Sequence, residues 1–260
     1  MLTREEFDTL VAKEQAGSAM SDELAALEPY RAKRAVFFAA GFGSRLVPVT
    51  VNTPKPLVRV HGTRIIARLI DAVRAVGIEE IYVVRGYLAD EFDALRRAYP
   101  EIRFIDNPDY NKTNNISSAV LARDLIRDAY VFESDLLLRN PSLITKYQYE
   151  TNYLGVPVKH TDDWCFTVRD GAIVRIAKGG DDCHHMFGIS YWTAADGERL
   201  ASDLETVFAR EDGKQIFWDE VPLDRCRDHY RVGIRDCSFD DIAEIDTFAE
   251  LQEVDEAYRL

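Results

Sequence analysis

The sequence predicts an α/β protein with a mainly parallel central sheet, a β-rich lid and a short helical extension at its N-terminus. Three observations predict it. An apolar run, Ala35 to Ala40 (AVFFAA), leads straight into a glycine-containing loop, the pattern of a strand buried on both faces. Apolar runs then alternate with helix-period segments as far as residue 134, the order that builds parallel sheets with ligands at their carboxyl edge. Beyond residue 150 the runs become turn-punctuated and antiparallel in character.

Residues 1 to 28 read as two short helices. Thr3 with Glu6 forms a capping box, Phe7, Leu10 and Val11 share a face, and Ser21 can cap a second turn carrying Leu24 and Leu27. They are expected to form an extension over residues 1–30, with 31–260 as the main domain. Ile65, Ile66, Leu69, Ile70, Val73 and Val76 keep helical spacing, Gly77 ends that helix, and Ile81 to Val84 forms the next strand. Helix 88–98, strand 102–106, helix 116–127 and strand 129–134 follow. Strands are expected near 153–160, 164–168, 172–176 and 186–192, the middle pair joined at Asp170-Gly171. A helix near 195–209, a strand near 230–235 and a last helix from 247 complete the chain.

At 260 residues and 47% hydrophobic, with no Pro-rich or polar tract, the chain offers no linker to divide it. No apolar run has the length of a membrane span, and the start (MLTREEFDTL) lacks the layout of a signal peptide, so a cytoplasmic location without membrane insertion is expected. A net charge of -13 argues against nucleic-acid or anionic-membrane binding. Yet residues 31–70 hold eight basic side chains and no acidic one, which points to a bound anion. The four cysteines fall singly, and Cys183-His184-His185 lacks chelating spacing, so neither a zinc site nor a disulfide framework is expected.

The segment Ala39 to Gly62 (AAGFGSRLVPVTVNTPKPLVRVHG) carries the functional argument. Gly41 and Gly43 leave backbone N–H groups free to approach phosphate oxygens, and Arg45 adds a planar bidentate donor. Pro54 and Pro56 restrict the backbone around Lys55, which suits a side chain that must be aimed. The loop is neither a dinucleotide fingerprint nor a Walker A sequence.

This G-x-G-[ST]-R loop followed by T-P-K resembles the nucleotidyltransferase superfamily of sugar-phosphate and choline-phosphate activation, and the resemblance extends over roughly residues 34 to 260. It implies a Rossmann-like nucleotidyltransferase fold. It also implies that Ala40, Gly41, Gly43 and Ser44 wrap a nucleoside triphosphate, while Lys55 and Arg45 contact the α-phosphate and the acceptor phosphate. Asn114, Asn115, Ser117 and Ser118, ahead of a helix, fall where the family meets the nucleotide, and their amides and hydroxyls suit cytosine.

Asp135, closing the strand AYVFESD, and Glu244 with Asp246 in the stretch IAEID resemble the family's metal elements. Two residues apart on extended backbone, Glu244 and Asp246 project to one face. Three carboxylates then suit Mg²⁺, a hard cation that takes oxygen ligands. Trp164, Tyr191, Trp192, Trp218 and Asp219 match acceptor elements associated with bacterial CTP:phosphocholine cytidylyltransferases. A quaternary ammonium is bound by aromatic faces with a carboxylate nearby, although alternation sends Tyr191 and Trp192 to opposite faces.

The expected reaction is transfer of CMP from CTP to phosphocholine, giving CDP-choline and pyrophosphate. The acceptor phosphate is its own nucleophile, since its second pKa of about 6 leaves it largely ionised at neutral pH. Other acceptors in the same class are 2-aminoethylphosphonate, phosphoethanolamine and a sugar 1-phosphate. In another class stands a non-catalytic nucleotide-sensing regulator. The sequence leaves the oligomeric state, including a homo-oligomer, open.

Overall fold

The computed structural model describes residues 1–259. Two helices open the chain, α1 (Arg4–Gln15) and α2 (Ser21–Leu27). The Thr3–Glu6 capping box forms as expected. The second cap differs: Met20 occupies the N-cap and Ser21 lies inside α2, because Glu23 reaches back to the Met20 amide instead. Phe7 and Leu27 pack with Tyr147 beneath the helices.

The central elements follow as β1 (Arg34–Ala39), β2 (Arg59–Val60), β3 (Thr63–Arg64), α3 (Ile65–Ala75), β4 (Glu80–Arg85) and β5 (Arg103–Asp106). Next come α4 (Ile116–Ala122), β6 (Ala129–Glu133) and β7 (Leu136–Leu138). The second half contains β8 (Asn152–Arg169), β9 (Ala172–Trp192), α5 (Ala194–Phe208), β10 (Gly233–Asp236), β11 (Ile242–Glu244) and α6 (Phe248–Val254).

Seven strands form one sheet in the order β10-β8-β9-β6-β1-β4-β5. Pairings β6–β1, β1–β4, β4–β5 and β10–β8 are parallel, and β9 alone runs against its neighbours. The sheet is therefore mostly parallel, and the antiparallel character expected of the second half is found in the β8–β9 hairpin, in the pairing of β9 with β6, and in the separate β7–β11 pair. β1 alternates between the two cores: Phe37 faces a cluster with Ile66 and Ile70 of α3, while Val36 and Phe38 face one with Ile116 of α4 and Leu200 of α5.

Two expected elements change form. Residues 88–98 form only a tight 3₁₀ stretch, Ala89–Leu95, entered through Leu88 at φ 48°. Its buried residues Phe92 and Leu95 lie three apart, a spacing that a 3₁₀ helix stacks on one face. The strands expected at 153–160 and 164–168 are one strand, as are those at 172–176 and 186–192. Asp162 and Asp163 on β8 and Gly179 on β9 lie in a bulge between Thr161 and Trp164, while Gly180 still pairs with Thr161, so the ladder continues through the interruption.

Connections from β1 run to β4 on one side while β6 flanks it on the other. The chain thus switches direction around β1, and the crevice at its carboxyl end is where such sheets bind ligands.

Candidate active site

A cleft of about 650 Å³ opens at that crevice. Its first wall is the loop after β1. Gly43 has φ 60°, and a Cβ there would meet Lys55 Cβ at 2.9 Å, so both backbone conformation and the approach of Lys55 call for glycine. Thr50 Oγ1 donates to the Gly43 carbonyl at 2.8 Å, and the Tyr87 hydroxyl donates to the Thr50 carbonyl at 3.0 Å, bracing the loop. Ala40, Gly41, Gly43, Ser44, Arg45 and Lys55 all line the cleft.

Packing brings the second wall to this loop. Leu46, Val58 and Val60 form one cluster with Leu137, Ile245 and Leu251. In the small antiparallel pair of β7 with β11, Glu244 lies opposite Leu136, next in sequence to Asp135. Donor oxygens of Asp135, Glu244 and Asp246 consequently fall within 4.8 Å of one another. Lys55 Nζ donates to Asp135 Oδ2 at 2.8 Å and to Asp246 Oδ1 at 2.7 Å, and Arg45 Nη1 lies 2.9 Å from Asp246 Oδ2.

These charges set each other's protonation. Burial alone would lower the Lys55 pKa, but Asp135 and Asp246 outweigh it and hold the amine above its ordinary value. Burial pushes Glu133 and Glu244 well up, and neighbouring carboxylates add to both shifts. Burial acts upward on Asp246 too, yet Lys55 and Arg45 bring it below the usual range. Asp135 Oδ1 is buried without a hydrogen-bond partner. An orphaned oxygen beside two further carboxylates is a donor set suited to a hard divalent cation. The other mixed cluster, Asp203 with Cys226 and His229, is closed by hydrogen bonds from His229 and Tyr230 to Asp203.

The residues ahead of α4 are spent partly on structure. Asn115 occupies the N-cap without a side-chain cap; its Oδ1 accepts from the Trp218 amide and its Nδ2 donates to Glu133. Asn114 Nδ2 donates to the Gln215 carbonyl. Ser117 and Ser118 both accept from Asn107 Nδ2, at 2.9 and 3.0 Å. Asn114, Asn115 and Ser118 line the cleft, whereas Ser117 lies behind it.

The expected aromatic cage is not assembled. Tyr191 is 1% exposed in the α3-side core and Trp192 is 0% exposed in the opposite one, so strand alternation buries both and brings neither to the cleft. Trp218, 2% exposed, packs against Phe38, Tyr153 and Trp192. Its neighbour Phe217 reaches the cleft instead and meets Trp164 edge-on at 5.5 Å. Asp219 does line the cleft. It accepts from the Tyr153 hydroxyl at 2.7 Å, and burial pushes its pKa up to about 7.

Lining residues with polar or aromatic side chains that sequence reading passed over include Asn107, Glu133 as a site member, Asp163, Lys178, Phe217 and Glu220. Asn107 and Glu133 sit at or just past the carboxyl ends of β5 and β6, a position that marks ligand edges in parallel sheets. Nothing in the local pattern singles out the others.

A three-layered, mostly parallel α/β sheet with a glycine loop, an aimed lysine and converging carboxylates at its switch point defines a nucleotidyltransferase. Residues 35–145 match the MobA-like NTP transferase domain family. The chain is 37% identical over 228 residues to a 2-aminoethylphosphonate cytidylyltransferase of Lancefieldella rimae, covering 86% of this chain and 92% of that one. It is 29% identical over 223 residues to a choline-phosphate cytidylyltransferase of Haemophilus influenzae, covering 85% and 95%. The structure matches that of the CTP:phosphocholine cytidylyltransferase from Streptococcus pneumoniae with a TM-score of 0.80 and 27% identity, over 88% of this chain and 100% of that one. This chain belongs to the cytidylyltransferases of that nucleotidyltransferase family. Among the described residues no helix is long and apolar enough to cross a membrane.

Proposed function

We propose that the protein transfers CMP from CTP onto a small acceptor bearing a phosphonate or phosphate at one end and a primary amine at the other, with 2-aminoethylphosphonate favoured. The observation that carries this reading is the composition of the cleft around Trp164. Trp164 meets one aromatic ring, Phe217, and the carboxylates Asp163, Asp219 and Glu220 line the same cleft, whose second aromatic pair, Phe42 with Tyr110, makes no ring contact with either. A primary ammonium needs oxygen acceptors to replace its hydration, whereas a trimethylated head needs aromatic faces. The 37% identity to a 2-aminoethylphosphonate enzyme supports the same choice.

In this reading residues 31–260 form the catalytic domain, and residues 1–30 extend it. The backbone of Ala40, Gly41, Gly43 and Ser44 holds the triphosphate, and Asn114, Asn115 and Ser118 border the base. Ser117 acts behind them by sharing Asn107 with Ser118. Asp135, Glu244 and Asp246 hold magnesium, which when bound supplies positive charge against the phosphate oxygens. Lys55 and Arg45 neutralise the two anions as they approach and hold the acceptor oxygen in line with the α-phosphorus; charge then develops on pyrophosphate beside them. The acceptor is already ionised, so no general base is required.

Phosphocholine is the second reading, supported by Trp164 and Phe217, whose faces together offer part of a cage. Measuring kcat/KM for 2-aminoethylphosphonate, phosphoethanolamine and phosphocholine with CTP separates them. The primary amines should lead. Phosphocholine leading would overturn the acceptor assignment and leave the reaction class standing.

A further inference from the structure

Three cations line the cleft, and two of them are already engaged: Arg45 and Lys55 both pair with Asp246, Lys55 with Asp135 as well. The third is Lys178. Among the described residues it has no ion pair and no side-chain hydrogen bond, although the cleft around it is rich in carboxylates. Its place in the sheet accounts for its direction. Lys178 on β9 lies directly opposite Trp164 on β8, at the first pair after the bulge that begins at Thr161. Cross-strand partners present their side chains on the same face, and bulges beside active sites re-aim the residues that follow. The hairpin thus presents an indole and a free ammonium side by side to the acceptor end of the cleft.

We infer that Lys178 is a specificity-determining contact that binds the anionic phosphonate or phosphate end of the acceptor, while the amine end is left to the neighbouring carboxylates. This assignment rests on the functional reading above. A mobile point charge suits a terminal group with three equivalent oxygens, where a planar fork is not required. Lys178 is exposed at the cleft, and an unpaired cation there favours acceptors that carry an anionic group, because only an anion gives it a charge-assisted hydrogen bond.

Steady-state kinetics of Lys178→Met and Lys178→Arg test it. In Lys178→Met the acceptor KM should rise about tenfold or more while the CTP KM stays within about twofold, and Lys178→Arg should recover most of the loss. Ethylphosphonate, which keeps the anion and lacks the amine, should lose potency as a competitive inhibitor against the acceptor by the same factor. An unchanged acceptor KM, or a CTP KM that rises equally, overturns the Lys178 assignment alone. A wild-type enzyme that uses no phosphonate- or phosphate-bearing amine overturns both this assignment and the functional reading.

Discussion

Lys55 and Asp246 form an ion pair of 2.7 Å between segments 191 residues apart, joining the proline-flanked lysine beyond the glycine loop to the aspartate that follows β11. Lys55 is 7% exposed. Its charge is balanced by Asp135 and Asp246, so substrates must compete for it. The first prediction follows from that sharing. Lys55→Ala should lower kcat by about a hundredfold or more, the scale for losing one preorganised charge at a transition state. Circular dichroism should still show a folded chain; wild-type turnover in a folded variant would contradict the loop assignment.

Cation binding has a readout that needs no turnover. The orphaned Asp135 Oδ1 and the neighbouring Glu244 and Asp246 should make Mg²⁺ raise the thermal midpoint of the wild-type protein, since a ligand that binds only the folded state stabilises it. Asp135→Asn and Asp246→Asn should abolish that rise, an amide being a poorer ligand for a hard cation. An undiminished rise in both variants would place the cation elsewhere.

The three tryptophans should separate by readout. Trp218 lies in the core between Phe38 and Trp192, so Trp218→Leu should cost about 2 to 3 kcal/mol of stability in urea unfolding. Trp164 lines the cleft, so Trp164→Leu should leave stability within about 1 kcal/mol and raise the acceptor KM. Acceptor-selective kinetics from Trp218→Leu in a fully stable protein would contradict the core placement.

Asp255 gives a pH prediction. Its carboxylate accepts from the His61 amide at 2.6 Å and from the Ala257 amide at 3.0 Å, and these bonds hold its pKa below the ordinary value. A depressed folded pKa contributes stability that is complete above the unfolded value of about 3.9 and is lost as pH falls through the folded one. Asp255→Asn should therefore be less stable than wild type at pH 7, with the difference shrinking in acid. A difference that grows in acid would reverse the assignment.

The parts of this molecule that sequence could reach are those where one residue type answers one local demand. Gly43 must be glycine both for its left-handed backbone and for Lys55 beside it, and the alternation of Glu244 and Asp246 fixes their shared side before any partner is known. Asp135 was reachable because strand ends mark the ligand edge. The wall around Trp164 was not. Phe217 and Trp218 are adjacent, and which one faces the cleft depends on Asn115 holding the Trp218 amide, a contact across 103 residues. Lys178 is illegible for a related reason: its direction comes from its pairing with Trp164 after a bulge. The long β8–β9 hairpin was read as four strands because paired aspartates and glycines interrupt it, and only the ladder shows that it continues.

The central claim is CTP-dependent transfer to a phosphonate- or phosphate-bearing amine, and pyrophosphate release measured with each of ATP, CTP, GTP and UTP, with and without 2-aminoethylphosphonate, tests it most directly. The account predicts pyrophosphate from CTP only when acceptor and Mg²⁺ are both present, together with a CMP-linked product. Release that favours another nucleotide, or that proceeds equally without any acceptor, would contradict it.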